Sequence, residues 1–227
     1  MVDGLAAGLE AAWQTLLNRV AAGIRETGAV TGCPALSAPV RQALATVPRH
    51  RFVADEQRGW AYADMPLPIG RGQTISQPFI VALMTELLAL DPAMTILEIG
   101  AGSGYQTAVL AQLARQVYSV ERIPELAEAA AQRWREMGIE NVAIRVGDGG
   151  QGWEEYAPFD GIMVTAAATD VPPALVRQLK PGGRLVIPVG EPGYTQDLRV
   201  IHKDPQGVVF SRSALPVVFV PLIQDRD

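Results

Sequence analysis

Residues 95–104, Thr-Ile-Leu-Glu-Ile-Gly-Ala-Gly-Ser-Gly, constrain the fold of this chain more than any other stretch. An apolar run rich in β-type residues carries one acid, Glu98. It then breaks into glycines at alternate positions, Gly100, Gly102 and Gly104, and the helix-favouring run 105–114 follows at once. A strand, a glycine loop and a helix in that order let a ligand lie against bare backbone, because glycine lacks a Cβ and tolerates positive φ.

From residue 95 onward the same alternation repeats. Apolar runs at 95–99, 117–120, 142–146, 159–165 and 184–189 read as buried parallel strands, with helical stretches between them at 105–114, 124–137 and 172–179. This spacing predicts an α/β fold with an open, doubly wound, mostly parallel sheet. The tail at 198–202 and 208–222 has no intervening helix and is expected to close the sheet as antiparallel β structure. Upstream, Leu5, Leu9, Trp13, Leu16, Leu17, Val20 and Ile24 recur at three- and four-residue steps, which predicts an amphipathic helix over 3–27. Residues 28–39 read as a turn-rich connection, 38–46 as a short helix and 47–52 as a loop. The segment 67–78 holds two prolines and two glycines, which argue against a regular element there. It leads into a predicted helix over 79–90, with Pro78 at its start. The whole reads as one domain over 1–227, with a helical extension over 1–45 and a core over 46–227.

The 227 residues are 48% hydrophobic, enough for a sizeable core. A formal net charge of −5 argues against a nucleic-acid binder, which needs a basic surface to neutralise phosphates. One cysteine and two histidines give no disulfide framework and no Cys/His metal site. The start of the chain has no basic segment, and no apolar run reaches the roughly 20 residues of a membrane span. A cytoplasmic protein without a membrane contact is the expectation.

In a doubly wound sheet, ligands bind beyond the carboxyl ends of the strands. Glu98 and the glycine loop end the first strand. Glu121 ends the second, 19 residues after Gly102, where a carboxylate suits the vicinal hydroxyls of a ribose. Gly147-Asp148-Gly149 ends the third, with room for a flat ring and an acceptor for an amino group, and Thr165 ends the fourth. The glycine spacing departs from the dinucleotide pattern G-x-G-x-x-G, since the third glycine comes one residue early. An acid two residues before the first glycine would repel a pyrophosphate but attract a cation. Together these point to S-adenosylmethionine, with its ammonium and sulfonium charges, rather than to a nicotinamide cofactor.

The segment 67–78, Leu-Pro-Ile-Gly-Arg-Gly-Gln-Thr-Ile-Ser-Gln-Pro, resembles a signature of the protein-L-isoaspartate O-methyltransferases. The resemblance extends over about residues 45–223. It includes 97–106, 117–122, 147–149, 179–188 and the tail Phe219-Val220-Pro221-Leu222. It implies a Rossmann-like methyltransferase fold and methyl transfer to the free α-carboxylate of L-isoaspartyl residues in damaged proteins, with S-adenosylhomocysteine as product. It also implies that Thr74, Ile75, Gln77 and Gln106 join Glu98, Gly100, Gly102, Glu121, Gly147, Asp148, Gly149 and Thr165 in holding the cofactor. Two other readings share the fold: a methyltransferase for one dedicated aspartate-containing peptide, and a non-catalytic S-adenosylmethionine-binding protein. Three features depart from the family pattern. Ala168 stands where proline usually follows Thr-Ala-Ala, Ile223 stands where some members carry threonine, and the first 45 or so residues match no motif.

An α-carboxylate has a pKa of about 3.5 and is ionised at neutral pH, so its methylation needs no general base. Placing the carboxylate and excluding water are then what the protein must do. Ser76 is the expected catalytic residue, its hydroxyl donating to one carboxylate oxygen while the other attacks. The extended tail, with Val220, Pro221 and Leu222, is expected to form a wall of the peptide groove, facing the loop at 66–72. Backbone groups near Val220, left unpaired because Pro221 interrupts a ladder, would read the substrate main chain. Isoaspartyl proteins and peptides are the expected partners, and the protein is expected to act as a monomer.

Overall fold

The computed structural model describes residues 2–225, without the side chains of residues 2–7, 9 and 10. Leu5 and Leu9 of the expected apolar stripe therefore lie outside the described side chains. Among the described residues the main sheet has seven strands: β3 (Thr95–Ile99), β4 (Gln116–Glu121), β5 (Val142–Val146), β6 (Phe159–Val164), β7 (Leu179–Val189), β8 (Gln196–Lys203) and β9 (Val209–Val217). Their spatial order is β5-β4-β3-β6-β7-β8-β9. Pairs from β5 to β7 are parallel, and β8 and β9 add on antiparallel. The chain winds outward from β3 through β4 and β5, then returns to place β6 on the other side of β3. That reversal makes the carboxyl ends of β3 and β6 the switch point, where a crevice opens.

Helices α4 (Tyr105–Ala111), α5 (Pro124–Glu136) and α6 (Pro173–Gln178) fill the crossovers. Because successive side chains of a strand face opposite ways, the buried β3 feeds two cores at once. Leu97 and Ile99 pack with Ile162 and Val164, while Ile96 packs with Met163, Val186 and Leu83. Each of these side chains is at most 1% exposed, and each such burial is worth roughly 1.5–3 kcal/mol.

Several elements differ from the sequence reading: part of the expected loop at 47–52 forms a 3-10 helix (Arg49–Phe52), β7 begins five residues earlier than expected, and two further differences bear on the site. The first helix, α1, runs Val2–Thr31 and overruns its expected end at 27. Thr27 and Thr31 return their hydroxyls to carbonyls one turn back, Thr31 Oγ1 also accepts the Cys33 N–H at 3.2 Å beyond the helix end, and the helix stops only at Gly32, with φ 72°. It buries Leu16, Leu17, Val20 and Ile24, stacks Trp13 on Tyr62, and lies against α2 (Ala38–Thr46) and α3 (Pro78–Leu88). The segment 67–78 is not irregular. It forms a hairpin of β1 (Leu67–Gly70) and β2 (Gln73–Ile75), closed by Arg71 and Gly72, both at positive φ. Two positive-φ residues give the turn twist that hairpins favour, and an edge strand tolerates Pro68.

Candidate active site

The glycine loop follows from two close approaches. Gly100, at φ 95°, donates its N–H to the Val120 carbonyl at 2.8 Å, while the Thr165 hydroxyl donates to the Gly100 carbonyl at 2.6 Å. A Cβ on residue 100 would stand 2.5 Å from Thr165 Oγ1. At Gly104, φ 86°, the Trp134 indole N–H donates to the carbonyl at 2.9 Å, and a Cβ would meet that nitrogen at 2.7 Å. Gly102, at φ 52°, instead leaves a Cβ position in ordinary contact with Ile69 Cδ1, at 3.4 Å, and turns its N–H to Glu121 Oε2 at 2.8 Å. Glu121 Oε1 accepts the Ile123 N–H at 2.9 Å, so each oxygen keeps lone-pair capacity for a ligand.

These groups line a cleft at the switch point with about 820 Å³ of empty space, counting its mouth. Thr74, Ile75 and Ser76 form one side, and Gly100, Gly102, Gln106 and Glu121 the floor. Gly149, Thr165 and the tail residues Val220, Pro221 and Leu222 complete it. Bare glycine backbone beside a two-oxygen acceptor fits a ribosyl sulfonium compound. Tyr105 and Ile123 also line the cleft and went unread in the sequence. Ile123 carries a usable signal, an apolar residue two places beyond the strand-end acid. Tyr105 carries none beyond opening a helix; its ring is buried edge-on to Phe52, and burial pushes its hydroxyl up to about 12.

Four expected residues stand elsewhere. Glu98 is fully buried behind the loop rather than on the cleft wall. Its Oε2 accepts the hydroxyls of Ser119, at 2.6 Å, and Thr107, and its Oε1 has no partner among the described residues. Burial pushes its pKa up to about 7, against the opposing pull of those two hydroxyls. Gly147 spends its N–H on the Glu121 carbonyl at 3.0 Å. Asp148 does not line the cleft; each of its oxygens accepts one backbone N–H, from Gly150 at 2.7 Å and from Asp225 at 3.0 Å. Gln77 faces a second cavity.

That second cavity is a groove sharing Thr74, Ser76, Thr165 and Val220 with the cleft. Its walls are otherwise largely apolar, from Phe79, Ile80 and the stretch 215–219, and among the described residues no charged side chain lines it. Beyond β9 the tail does not lie free. Val220 accepts the Ala167 N–H at 2.8 Å, and Leu222 donates to the Ala167 carbonyl at 2.7 Å, a short parallel bridge beyond the end of β6. Of the backbone near Val220, its N–H and the carbonyls of Phe219 and Pro221 have no hydrogen-bond partner among the described residues, while the Val220 carbonyl and the N–H groups of Phe219 and Leu222 are engaged. Ala168, where the family favours proline, uses the N–H a proline would lack, donating to Pro188 O at 3.1 Å.

A protein from Syntrophobacter fumaroxidans named protein-L-isoaspartate O-methyltransferase 2 is 52% identical over 212 residues, covering 93% of this chain and 86% of its own. A Polaromonas protein of the same name is 52% identical over 211 residues, covering 93% of this chain and all of its own. Among solved structures, a protein-L-isoaspartate O-methyltransferase superposes with a TM-score of 0.78 at 29% identity, over 90% of this chain and 65% of that one. A Plasmodium falciparum protein described as a protein-L-isoaspartate O-methyltransferase in complex with S-adenosyl-L-homocysteine superposes with a TM-score of 0.76 at 26% identity, over 94% and 99%. The model of one family, protein-L-isoaspartate(D-aspartate) O-methyltransferase, matches residues 31–227, and with these relatives it establishes that this chain belongs to that family.

Proposed function

We propose that this protein uses S-adenosylmethionine to methylate the free α-carboxylate of L-isoaspartyl residues in damaged proteins, the first step of their repair. The main support is the position of Ser76, at the seam where the cleft and the groove meet. A donor bound in one cavity and an acceptor bound in the other would come together at that hydroxyl.

S-adenosylmethionine, when bound, supplies a methyl group on a positively charged sulfur. Glu121 is the residue for its ribose hydroxyls, with the backbone of Gly100 and Gly102 beneath and Thr74, Ile75 and Gln106 closing the cleft. Ser76 donates its hydroxyl to one oxygen of the acceptor carboxylate and so aims the other. Neither cavity is lined by histidine, which suits an acceptor that is already ionised. The tail at Val220 presents its free N–H to the substrate main chain, and the apolar walls exclude water.

A groove without charged side chains favours broad acceptance of flanking sequences, as repair requires, over one dedicated peptide. The assignment extends to a single catalytic domain acting as a cytoplasmic monomer, with no nucleic-acid or membrane partner. Among the described residues no helix is long and apolar enough to cross a membrane. Methyl incorporation into several unrelated isoaspartyl peptides, each beside its aspartyl twin, tests the reading. Incorporation into the isoaspartyl member of every pair is expected, and equal labelling of both members would refute it.

A further inference from the structure

Ser76 sits between two anchored pieces, β2 ending at Ile75 and α3 beginning at Pro78. The first N–H groups of a helix need acceptors from outside it, and the N-cap residue Gln77 supplies none from its side chain. The acceptor comes from outside the helix, in the loop before β1. Asp64 Oδ1 accepts the Phe79 N–H at 2.9 Å, and Asp64 Oδ2 accepts the Gln77 side-chain N–H at 3.2 Å. One carboxylate thus grips the two residues that flank Pro78, immediately after Ser76.

Behind Asp64 lies Arg49, fully buried. Its Nη2 donates to the carbonyl of Met65, next to Asp64, at 3.2 Å. Its guanidinium carbon lies 5.3 Å from the centre of the Tyr105 ring, which lines the cofactor cleft. Nε and Nη1 have no partner among the described residues. A buried cation is costly unless it faces negative charge or a π-face; the Tyr105 ring supplies the π-face, and the Asp64 carboxylate is the nearby negative charge that favours the cation. The series Tyr105, Arg49, Asp64, Gln77 therefore connects the cleft wall to the acceptor loop.

We propose that Asp64, backed by Arg49, is a positioning residue that holds Ser76 at the seam between the two cavities. It touches neither cavity itself and acts only through the loop. The proposal rests on the assignment of Ser76 made above.

The test is steady-state kinetics on an isoaspartyl peptide with S-adenosylhomocysteine titrations alongside. Asp64→Ala should lower kcat roughly tenfold to a hundredfold, as expected for loss of a charge-assisted hydrogen bond, with peptide KM and product affinity within about threefold of wild type. The double variant Asp64→Ala/Ser76→Ala should turn over no more slowly than Ser76→Ala alone, because residues acting as one unit are not additive. Asp64→Asn keeps an oxygen that accepts the Phe79 N–H and should retain clearly more turnover than Asp64→Ala, with peptide KM near wild type. If Asp64→Ala does not fold, Asp64→Asn alone and combined with Ser76→Ala decides, and it should be slower than wild type alone but add nothing to the loss in Ser76→Ala. Losses that add to those of Ser76→Ala, or an Asp64→Asn variant no faster than a folded Asp64→Ala, overturn the proposal alone. Full turnover in Ser76→Ala would overturn the assignment of Ser76 and this proposal together.

Discussion

The Gly102 N–H donates to Glu121 Oε2 at 2.8 Å, which ties the glycine loop after β3 to the end of β4. The same carboxylate caps the chain at Ile123 and lines the cleft, so it shapes the floor as well as offering an acceptor. Glu121→Ala is expected to weaken S-adenosylmethionine and S-adenosylhomocysteine binding by on the order of 1.5–3 kcal/mol, roughly tenfold to a hundredfold. It should also lower the melting temperature, because two backbone donors lose their acceptor. Glu121→Gln keeps one acceptor oxygen and should fall between. Calorimetric titration giving wild-type affinity in the alanine variant would remove Glu121 from the binding site.

Ser76→Ala should lower turnover on an isoaspartyl peptide while leaving product affinity near wild type. Chemistry that depends on aiming an ionised carboxylate loses its aim, not its reactivity. A fall of about tenfold or more in kcat corresponds to one hydrogen bond to a charged group. Initial rates at saturating S-adenosylmethionine provide the measurement, and equal turnover in the two proteins would reduce Ser76 to a loop residue.

The parallel strands β3 to β6 are readable because each is a short, largely apolar run ended by a glycine, an acid or, after β6, Thr165. Those same ends supplied Gly100, Gly102, Glu121 and Thr165, all of which line the cleft. Where composition spoke against regular structure, at 67–78, it misled. Glycines and prolines there make a tight edge hairpin, because positive φ at Arg71 and Gly72 is what such a turn uses. Glu98 shows another limit. Periodicity marks a residue as lying at a strand end, but not whether its carboxylate faces the cleft or, as here, Ser119 and Thr107 behind it. Asp64 left no trace in any local pattern, since its partners lie 13 and 15 residues further along the chain.

Glu98 makes stability depend on pH in an unusual direction. Burial raises its folded pKa to about 7 from an ordinary 4.5, so between those values the folded protein holds a proton that the unfolded chain has lost. Its contribution is therefore full below about pH 4.5 and is lost as pH rises through 7, amounting to on the order of 3 kcal/mol. Glu98→Gln keeps the shape and cannot ionise. Relative to wild type, it should change stability little at pH 5 and raise it at pH 8. Urea unfolding of both proteins at the two pH values measures this, and an equal difference at both would show that Glu98 does not titrate in this range.

Turnover should not depend on a histidine. His50 is engaged with the Tyr62 hydroxyl at 2.6 Å, burial and the neighbouring Arg58 and Arg51 lower its pKa, and His202 lies on β8. Neither lines the cleft or the groove. His50→Asn and His202→Asn should each retain the wild-type pH profile of kcat between pH 6 and about 8, where the acceptor is already ionised. A profile governed by one group near neutrality and abolished by either replacement would contradict this account.

The tail offers a sharper test than truncation. Removing residues from 220 onward would delete the Val220 and Leu222 bonds to Ala167 together with the Asp225 contacts to Asp148 and Arg122, and so disturb the cleft as well as the groove. Of the main-chain hydrogen-bonding groups, Val220→Pro removes the N–H that has no partner among the described residues and leaves the carbonyl that accepts from Ala167. The preceding residue, Phe219, becomes biased towards extended backbone, which suits a tail that already bridges a strand end. Loss of one main-chain contact to the substrate should raise peptide KM by roughly tenfold, with kcat at saturation and S-adenosylhomocysteine affinity close to wild type. Val220→Ala keeps the N–H while trimming the side chain, and should stay within about threefold of wild type in KM. A folded proline variant with unchanged KM would show that Val220 closes the core and does not read the substrate main chain. An alanine variant as impaired as the proline one would place the effect in the side chain.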